Sequence, residues 1–244
     1  MTEEEFYDAM SDRYSSLYFR QDKYPDESLI IDILKDATAM TPVFNHDWHH
    51  KVDVYGPEFY LDKRKVCLQT AEKEMHRRMF RTKGRDGEDS KGISEFLEPK
   101  LKKFEEWIES GNAKKYGYHG VEASFNTQVL APYLLKFTYS YNQFINLAKN
   151  DGPGAKLKAL QSSMAHSLAI AAVATHHGLN VGFCGCHFPN SHNKNRIWYD
   201  DDEMIKFVGI GYQHENCHYS LDSYVRSKKR KPRYNDICTI NRYK

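Results

Sequence analysis

Residues 157–185 read LKALQSSMAHSLAIAAVATHHGLNVGFCG and hold the longest helical pattern in the chain. Apolar residues recur in it every three or four positions, which is the spacing of one face of an α-helix. The residues on that face are Leu157, Leu160, Met164, Leu168, Ala171 and Ala172. Gly178 follows the pattern, as glycine often does just beyond the end of a helix. The sequence therefore predicts a helix from Leu157 to His177, followed by a glycine-bearing loop over 182–188.

Shorter patterns on both sides of this helix predict a mixture of helices and strands. Helical spacing of apolar residues recurs over 2–14, 28–37 and 96–108. Apolar or alternating runs predict strands over 51–56, 129–138 and 207–212. Pro132 confines its strand to an edge of the sheet or to the strand start, and Gly152–Gly154 predicts a turn. Such a mixture is typical of an α+β domain, in which helices pack on a sheet.

The chain length and one irregular stretch decide the domain organisation. A chain of 244 residues is enough for one large domain or two small ones. The stretch at about 63–120 is the least regular, and its glycine-rich, charged run over 81–92 predicts an exposed loop. We therefore predict a single domain over 1–244 with an insertion or lid excursion at about 63–120. Tyr116, Tyr118 and His119 would lie in that lid.

The overall charge is nearly balanced, with 35 Lys and Arg against 33 Asp and Glu. This balance argues against a protein whose whole surface binds nucleic acid. One segment is an exception, because six of the eight residues of Arg226–Arg233 are basic. Such a segment could bind phosphates weakly, but no aromatic side chains alternate with the charges to stack on bases. Nucleic acid is therefore not the partner that we expect.

Several further classes of protein are excluded by the sequence. No apolar run is long enough to span a bilayer, and the acidic start MTEEEFYDAM does not have the pattern of a secretion signal. We therefore expect a cytoplasmic protein that does not bind membranes. The five cysteines are odd in number and do not predict a disulfide framework. The Cys184–His187 run and the histidines at 46, 49 and 50 lack the spacing of a zinc site, so no metal is expected.

Four short segments follow one another in an order that resembles the nitroreductase family of FMN-dependent oxidoreductases. The first is Arg13–Ser15, and the second is Phe125–Gln128 before an apolar run. The third is the alanine-rich helix that leads through His177–Leu179 into Val181–Gly185. The fourth is Val208–Tyr212, followed after a spacer by Lys231–Arg233. The resemblance covers about half of the chain, and the middle stretch has no counterpart in it.

The resemblance implies both a fold and a reaction. The fold would be an α+β nitroreductase-like sheet flanked by helices, in a homodimer with the long helix in its core and cofactor sites at the subunit interface. The reaction would be a ping-pong transfer of hydride from NADH or NADPH through FMN to a small electron-poor acceptor, such as a nitroaromatic or a quinone. The flavin N5 would carry the chemistry, so no side chain is assigned to catalysis.

The resemblance also implies a set of FMN contacts: Arg13, Tyr14, Ser15, Asn45, Asn126, Gln128, Cys184, Gly185, Lys231 and Arg233. The chemistry of these residues suits FMN. Arginine and lysine can hold its phosphate, with a serine hydroxyl beside them. The amide groups of Asn126 and Gln128 can both donate and accept hydrogen bonds at the flavin edge. The backbone at Cys184 and Gly185 would approach N5.

Three places depart from the family pattern. One is a polar segment that is altered here to Pro42–Trp48, of whose role Asn45 and Trp48 would keep part. Many relatives carry lysines near the flavin where this chain has Leu17 and Gln128. Without these cations, negative charge on a reduced flavin is less stabilised, and the flavin should be harder to reduce. One alternative is therefore a flavin-binding protein of the same fold with another reaction, such as dehalogenation or flavin breakdown. The other is a phosphate- or nucleic-acid-binding module that uses Arg226–Arg233.

Overall fold

The computed structural model describes residues 16, 18–42, 48–68, 90–111, 125–139, 141–184, 197 and 204–216. Within these ranges lie helices α1 (Glu27–Met40), α2 (residues 60–68), α3 (Ser90–Glu109) and α4 (Tyr141–His176). The strands are β1 (His50–Tyr55), β2 (Tyr133–Tyr139), β3 (Asn180–Cys184) and β4 (Met204–Gly211). Two short 3₁₀ turns precede α2 and β2, at Pro57–Phe59 and Thr127–Leu130. No helix in these ranges is both long and apolar enough to cross a bilayer.

The four strands form one sheet in the order β1-β2-β4-β3, and every pair is antiparallel. The central strand β2 is buried along nearly its whole length, which matches its run of apolar residues. β3 and β4 pair in register from Asn180 opposite Gly211 to Cys184 opposite Phe207. Helices pack on this sheet, so the predicted α+β architecture is confirmed.

Each face of the sheet carries its own apolar core. The first face lies under α2 and α3, and its strand residues include Leu134, Cys184 and Phe207. The second face lies under α1 and α4, and its strand residues include Leu135 and Val208. Because side chains alternate along a strand, neighbouring residues of β2 and β4 point to opposite cores. We call these the α2/α3 face and the α1/α4 face.

Several predicted elements are confirmed by the structure. Helix α1 includes the predicted 28–37, and its Ile30, Ile33 and Ala37 are buried as their spacing predicts. β1 and β4 match the patterns over 51–56 and 207–212 within a few residues at each end, and α3 contains the pattern over 96–108 but begins earlier, at Ser90. Gly178 follows α4 with a φ of 72°, the left-handed conformation that favours glycine at this position.

Four predictions of local structure are wrong. Helix α4 contains the predicted helix over 157–176, but it begins at Tyr141 and continues through Gly152–Gly154, where a turn was predicted, because the local preference of glycine and proline for turns is outweighed by the rest of the helix. Residues 182–184 were predicted to lie in a loop, but they belong to β3, because their backbone pairs with β4. Val129 and Leu130 are buried in a 3₁₀ turn, and the strand starts only after Pro132, which cannot donate to the ladder. Residues 90–92 open α3.

The remaining predictions lie outside the described residues. They concern the opening helix, most of the loop over 81–92, the lid residues Tyr116, Tyr118 and His119, and the basic segment Arg226–Arg233. The helix α2, which occupies the start of the stretch at about 63–120, was not predicted from the sequence.

Candidate cofactor-binding site

The 3₁₀ turn Thr127–Leu130 carries two of the predicted site residues. Asn126 precedes the turn, and its carbonyl accepts a hydrogen bond from the amide of Val129 at 3.1 Å. Val129 and Leu130 are buried in the core of the α2/α3 face, which fixes the turn against the sheet. Asn126 and Gln128 are both half-buried. The turn therefore presents two amide side chains next to the sheet.

Gln128 contacts the strand that follows the long helix. Its Nε2 donates to the carbonyl of Phe183 on β3 at 3.4 Å. Its Oε1 is buried and accepts no hydrogen bond from any residue that the structure describes. A buried acceptor without a donor costs free energy, so its presence in a folded protein requires an explanation. The explanation that the family resemblance suggests is a donor group on a bound ligand.

Ser16 lies against the same part of β3. Its amide donates to the carbonyl of Val181 at 2.9 Å, and its Oγ donates to Oε1 of Gln213 at 3.3 Å. Gly182 lies between Ser16 and Gln128: a Cβ at this position would clash with the carbonyl oxygen of Ser16 and lie 3.0 Å from the Cβ of Gln128. Gly182 therefore allows close packing of the backbone within a strand, although in the sequence it was taken as the sign of a loop.

Gly209 brings β4 to the same place. A Cβ on Gly209 would clash with the carbonyl oxygen of Gln128 and with the Cβ of Ala131. Four parts of the chain therefore meet at one site. They are Ser16, the turn with Gln128, β3 and β4. Three of these parts belong to segments on which the resemblance rests, and Ser16 directly follows the first segment, Arg13–Ser15, which lies outside the described residues.

The structure places three of the predicted FMN contacts. Asn126 and Gln128 lie on the turn, and Cys184 lies at the end of β3 with its side chain buried in the core of the α2/α3 face. The other predicted contacts lie outside the described residues, and so does Leu17; they are Arg13, Tyr14, Ser15, Asn45, Gly185, Lys231 and Arg233.

A buried lysine next to the turn was missed by the sequence analysis. Lys63 of α2 is 1% exposed, and its Nζ donates to the carbonyls of Ala131 at 2.9 Å and Pro132 at 2.6 Å. Burial lowers the pKa of Lys63 to about 7, although Glu58 partly offsets this shift. In sequence, Lys63 stands among charged residues of a helical segment, where a lysine is ordinarily exposed.

Next to Lys63, the side chain of Arg64 joins α2 to α3. Its Nε donates to Glu98 at 2.6 Å, and its Nη1 and Nη2 donate to the two carboxylate oxygens of Glu105 at 2.7 and 3.0 Å. Arg64 and Glu105 are only 16% and 17% exposed, so this bidentate pair is shielded from water. These contacts raise the pKa of Arg64 against the opposing effect of burial.

The α1/α4 face holds a second polar network, which the sequence analysis also missed. His50 contacts Ser162 Oγ through Nδ1 at 2.8 Å and His166 Nδ1 through Nε2 at 3.0 Å. His166 Nε2 lies 3.3 Å from the hydroxyl of Thr38, which donates to the carbonyl of Leu34. Thr38 therefore accepts from His166, and His166 accepts from His50. The hydroxyl of Ser162 is nearer to His50 Nδ1, at 2.8 Å, than to the carbonyl of Ala159, at 3.2 Å, so we assign its proton to His50, and both imidazoles are neutral.

The charge near these histidines is positive. Burial is the main cause that lowers the pKa of His50 to about 3 and that of His166 to about 4, and the cation of Lys206 lowers both further. Lys206 Nζ donates to Ser167 Oγ at 2.6 Å and to the carbonyl of Ser163 at 2.8 Å. Burial lowers its own pKa to about 8. No described carboxylate forms an ion pair with it.

Comparisons with known proteins support one fold. No protein-family model matches the sequence, and none of the curated proteins matches it. Solved structures do match over nearly the whole chain. The chain has the nitroreductase fold. This assignment confirms the fold that the four segments predicted, at sequence identities too low to transfer a function.

Three solved structures illustrate the likeness. One is a variant of the FMN- and NADPH-dependent nitroreductase NfnB from Sphigopyxis sp. strain HMH, with a TM-score of 0.60, 14% identity, and 98% of this chain and 99% of that chain covered. Another is a nitroreductase with bound FMN from Desulfitobacterium hafniense DCB-2, with a TM-score of 0.54, 14% identity, and coverage of 99% and 100%. The third is a BluB-like flavoprotein from Clostridium difficile 630, with a TM-score of 0.53, 14% identity, and coverage of 97% and 98%.

Proposed function

We propose that this protein is an FMN-dependent oxidoreductase that takes hydride from NADH or NADPH and passes electrons to a small electron-poor acceptor. The observation that carries the proposal is the meeting of Ser16, Gln128 and Gly182 beside Oε1 of Gln128, a buried acceptor that receives no hydrogen bond from the described residues. Proteins whose structures match this chain include an FMN-dependent nitroreductase and a nitroreductase with bound FMN. FMN, when bound, would supply hydride transfer at N5.

The described residues suit the flavin end of such a cofactor. The pyrimidine edge of a flavin carries both donors and acceptors, and an amide can pair with either kind of group. In this proposal Oε1 of Gln128 accepts from the flavin, which would satisfy its buried oxygen. Asn126 stands at the start of the same turn and provides a second amide. The lack of a side chain at Gly182 keeps Ser16 and Gln128 close together.

The phosphate end is proposed from the sequence alone. Arg13, Lys231 and Arg233 would hold the phosphate, and Ser15 would donate to it. Arg13 and Ser15 precede Ser16 in the chain, and Ser16 is bonded to β3 at the candidate site. Tyr14, Asn45 and Gly185 complete the proposed set.

We also propose that the protein forms a homodimer through α4. Four large apolar side chains on this helix are exposed: Leu157 at 56%, Leu160 at 41%, Met164 at 53% and Leu168 at 37%. They recur every three or four residues and so form one stripe, while Ile170, Ala171 and Ala174 of the same helix are buried against the sheet and α1. An exposed apolar stripe of this length is typical of a protein–protein interface.

The dimer can be tested by charging the stripe. Leu160→Glu places a carboxylate in the proposed interface and should convert a dimer into a monomer in analytical ultracentrifugation. Leu61 is 71% exposed on α2 and provides the control, since Leu61→Glu should leave the assembly unchanged. A wild-type protein that sediments as a monomer would refute the dimer.

The proposal for the cofactor is tested by the visible absorption spectrum of the purified protein. We expect a yellow protein that releases FMN, about one per chain, on heat denaturation, with the released compound identified by mass spectrometry. Arg233→Ala should weaken FMN binding by about 10-fold or more, because it removes a charge-assisted pair with the phosphate. A colourless protein that does not bind added FMN would refute the oxidoreductase.

The acceptor is proposed only as a class. A nitroaromatic or a quinone is the expected substrate, and turnover of NADH and NADPH with each compound would identify the preferred pair. The absence of lysine at positions 17 and 128, occupied here by Leu17 and Gln128, predicts a low reduction potential for the bound flavin. Slow turnover with every acceptor would therefore favour the alternative, a flavoprotein of the same fold with another reaction. The fold is also shared by a protein described only as a BluB-like flavoprotein.

A further inference from the structure

Three consecutive carbonyls, from the last residue of the candidate flavin turn onward, accept hydrogen bonds from side chains. Gln21 Nε2 donates to the carbonyl of Leu130 at 3.0 Å. Lys63 Nζ donates to the carbonyls of Ala131 and Pro132 at 2.9 and 2.6 Å. Leu130 is the last residue of the 3₁₀ turn, and Ala131 and Pro132 join it to the first paired residue of β2, Tyr133. Since pairing of β2 with β4 begins only at Tyr133, these carbonyls accept hydrogen bonds from side chains, whereas the carbonyls further along the strand accept them from the neighbouring strands.

We call the two hydrogen bonds from Lys63 to the carbonyls of Ala131 and Pro132 the clamp, and they do not depend on a positive charge. An amine near its pKa is partly neutral, and a neutral amine still carries two N–H groups, which is the number of carbonyls that it contacts. The side chain is 1% exposed, so water cannot replace it at these carbonyls without opening the packing. Its loss would leave two buried acceptors without their donor.

The clamp also connects the turn to the start of the irregular middle stretch. Lys63 holds the turn from α2, and the next residue, Arg64, is paired with Glu98 and Glu105 on α3. Adjacent residues of one helix therefore fix α2 to the turn on one side and to α3 on the other. The bonds of Lys63 to Ala131 and Pro132 do not include Arg64, so they can persist when the contacts between α2 and α3 are lost.

We propose that Lys63 is a positioning residue for the flavin site, which it serves by fixing the turn that carries Asn126 and Gln128. The inference rests on the proposed function, because these amides are flavin contacts only if FMN binds there. Gln128 is bound to Phe183 by one long hydrogen bond of 3.4 Å. Its position therefore depends on the backbone that Lys63 and Gln21 hold.

The test compares FMN binding by the wild type and Lys63→Met in the full-length protein. We expect the dissociation constant of FMN to rise about 10-fold in the variant, because displaced contacts lose much of their contribution. The reduction potential of bound flavin should also shift, measured at saturating FMN and well below the melting temperature. Lys63→Gln keeps two N–H donors, so its dissociation constant for FMN should lie between those of the wild type and Lys63→Met. This variant provides the test if Lys63→Met does not fold.

Two control variants separate positioning from general destabilisation. Lys206→Met makes the same substitution at a buried lysine on the α1/α4 face and should leave the dissociation constant within about 2-fold of wild type. Arg64→Ala loosens α2 from α3 but keeps the bonds of Lys63, and it should lower the melting temperature with a smaller effect on FMN binding. An equal loss of FMN binding in Arg64→Ala would overturn the role of Lys63.

The outcomes distinguish this inference from the proposed function. A wild-type protein that binds FMN beside a Lys63→Met variant with unchanged affinity and potential overturns only the role of Lys63. A wild-type protein that binds no FMN overturns the proposed function and this role with it. Hydrogen exchange provides a readout without flavin, since the amides of Val129 and Ala131 should exchange faster in Lys63→Met but not in Lys206→Met.

Discussion

The two faces of the sheet differ in the polar network that each of them buries. On the α2/α3 face, Arg64 is charged and paired with two carboxylates, Glu98 and Glu105. On the α1/α4 face, His50 and His166 are neutral and bonded to each other and to hydroxyls. A charged pair keeps its contacts through the physiological pH range, whereas a neutral imidazole pair is lost on acidification. The two faces should therefore respond differently to pH and to the loss of a partner.

The largest expected effect is the loss of the ion pair on the α2/α3 face. Arg64→Ala leaves Glu105, which is 17% exposed, without its bidentate partner. We expect the free energy of unfolding to fall by about 3 kcal/mol, as for other shielded pairs that lose one member. Urea denaturation at pH 7 measures this change.

The control for Arg64 is an exposed pair in the same protein. Arg20 contacts Asp22 at 2.6 Å, but their side chains are 40% and 69% exposed. Arg20→Ala should not change the free energy of unfolding measurably, since water and salt replace such a contact. Equal losses for Arg20→Ala and Arg64→Ala would show that shielding from water does not set the strength of these pairs.

The next effect is the acid sensitivity of the α1/α4 face. The pKa of His50, about 3, and that of His166, about 4, lie below the ordinary value of 6.5, so the unfolded chain binds protons that the folded chain does not. Stability is therefore complete above pH 6.5 and falls as the pH drops towards these values. At pH 5 each imidazole should cost about 2 kcal/mol relative to pH 7.

Urea denaturation at pH 7 and pH 5 tests this sensitivity. The double variant His50→Gln/His166→Gln should be less stable at pH 7 but should lose much less on acidification. His177→Asn, at the exposed end of α4, is the matched control and should behave as the wild type does. A wild type whose stability is the same at both pH values would contradict the assignment of two neutral imidazoles.

These networks show where sequence reasoning succeeds and where it fails. Ile30, Ile33 and Ala37 of α1 were predicted to be buried because their spacing is visible within one helix. His50 and His166 are 116 residues apart, and no local pattern relates them. Their pairing arises only when β1 and α4 pack on each other, so it is a property of the tertiary fold.

The candidate site was partly predictable for a similar reason. Three of the family-like segments include the described turn and strands that meet in space beside Ser16, which follows the first segment, so their order in the chain was informative. Apolar Val129 and Leu130 predicted burial correctly but not the 3₁₀ turn, because a buried turn and a buried strand have the same hydrophobicity. Lys63 gave no signal, since lysine is ordinarily exposed and its partners are backbone carbonyls of Ala131 and Pro132.

The smallest expected effect concerns Lys206, whose removal should leave the fold nearly unchanged. Its amine bonds the Ser163 carbonyl, which helix geometry already supplies with a backbone donor, and Ser167 Oγ, which itself donates to the Met164 carbonyl at 3.0 Å. Lys206→Met therefore leaves no buried donor without an acceptor. We expect the free energy of unfolding at pH 7 to change by less than about 1 kcal/mol.

The same variant should nevertheless change the acid response, because the charge of Lys206 lowers the pKa of both His50 and His166. Its removal should raise both pKa values towards 6.5, which NMR titration of the imidazole signals would measure directly. A rise of about one unit for His166 would recover about 1 kcal/mol of stability at pH 4. Unchanged imidazole pKa values in Lys206→Met would mean that burial and the neighbouring imidazoles keep these histidines neutral, and that the charge of Lys206 has no part in the acid sensitivity of this face.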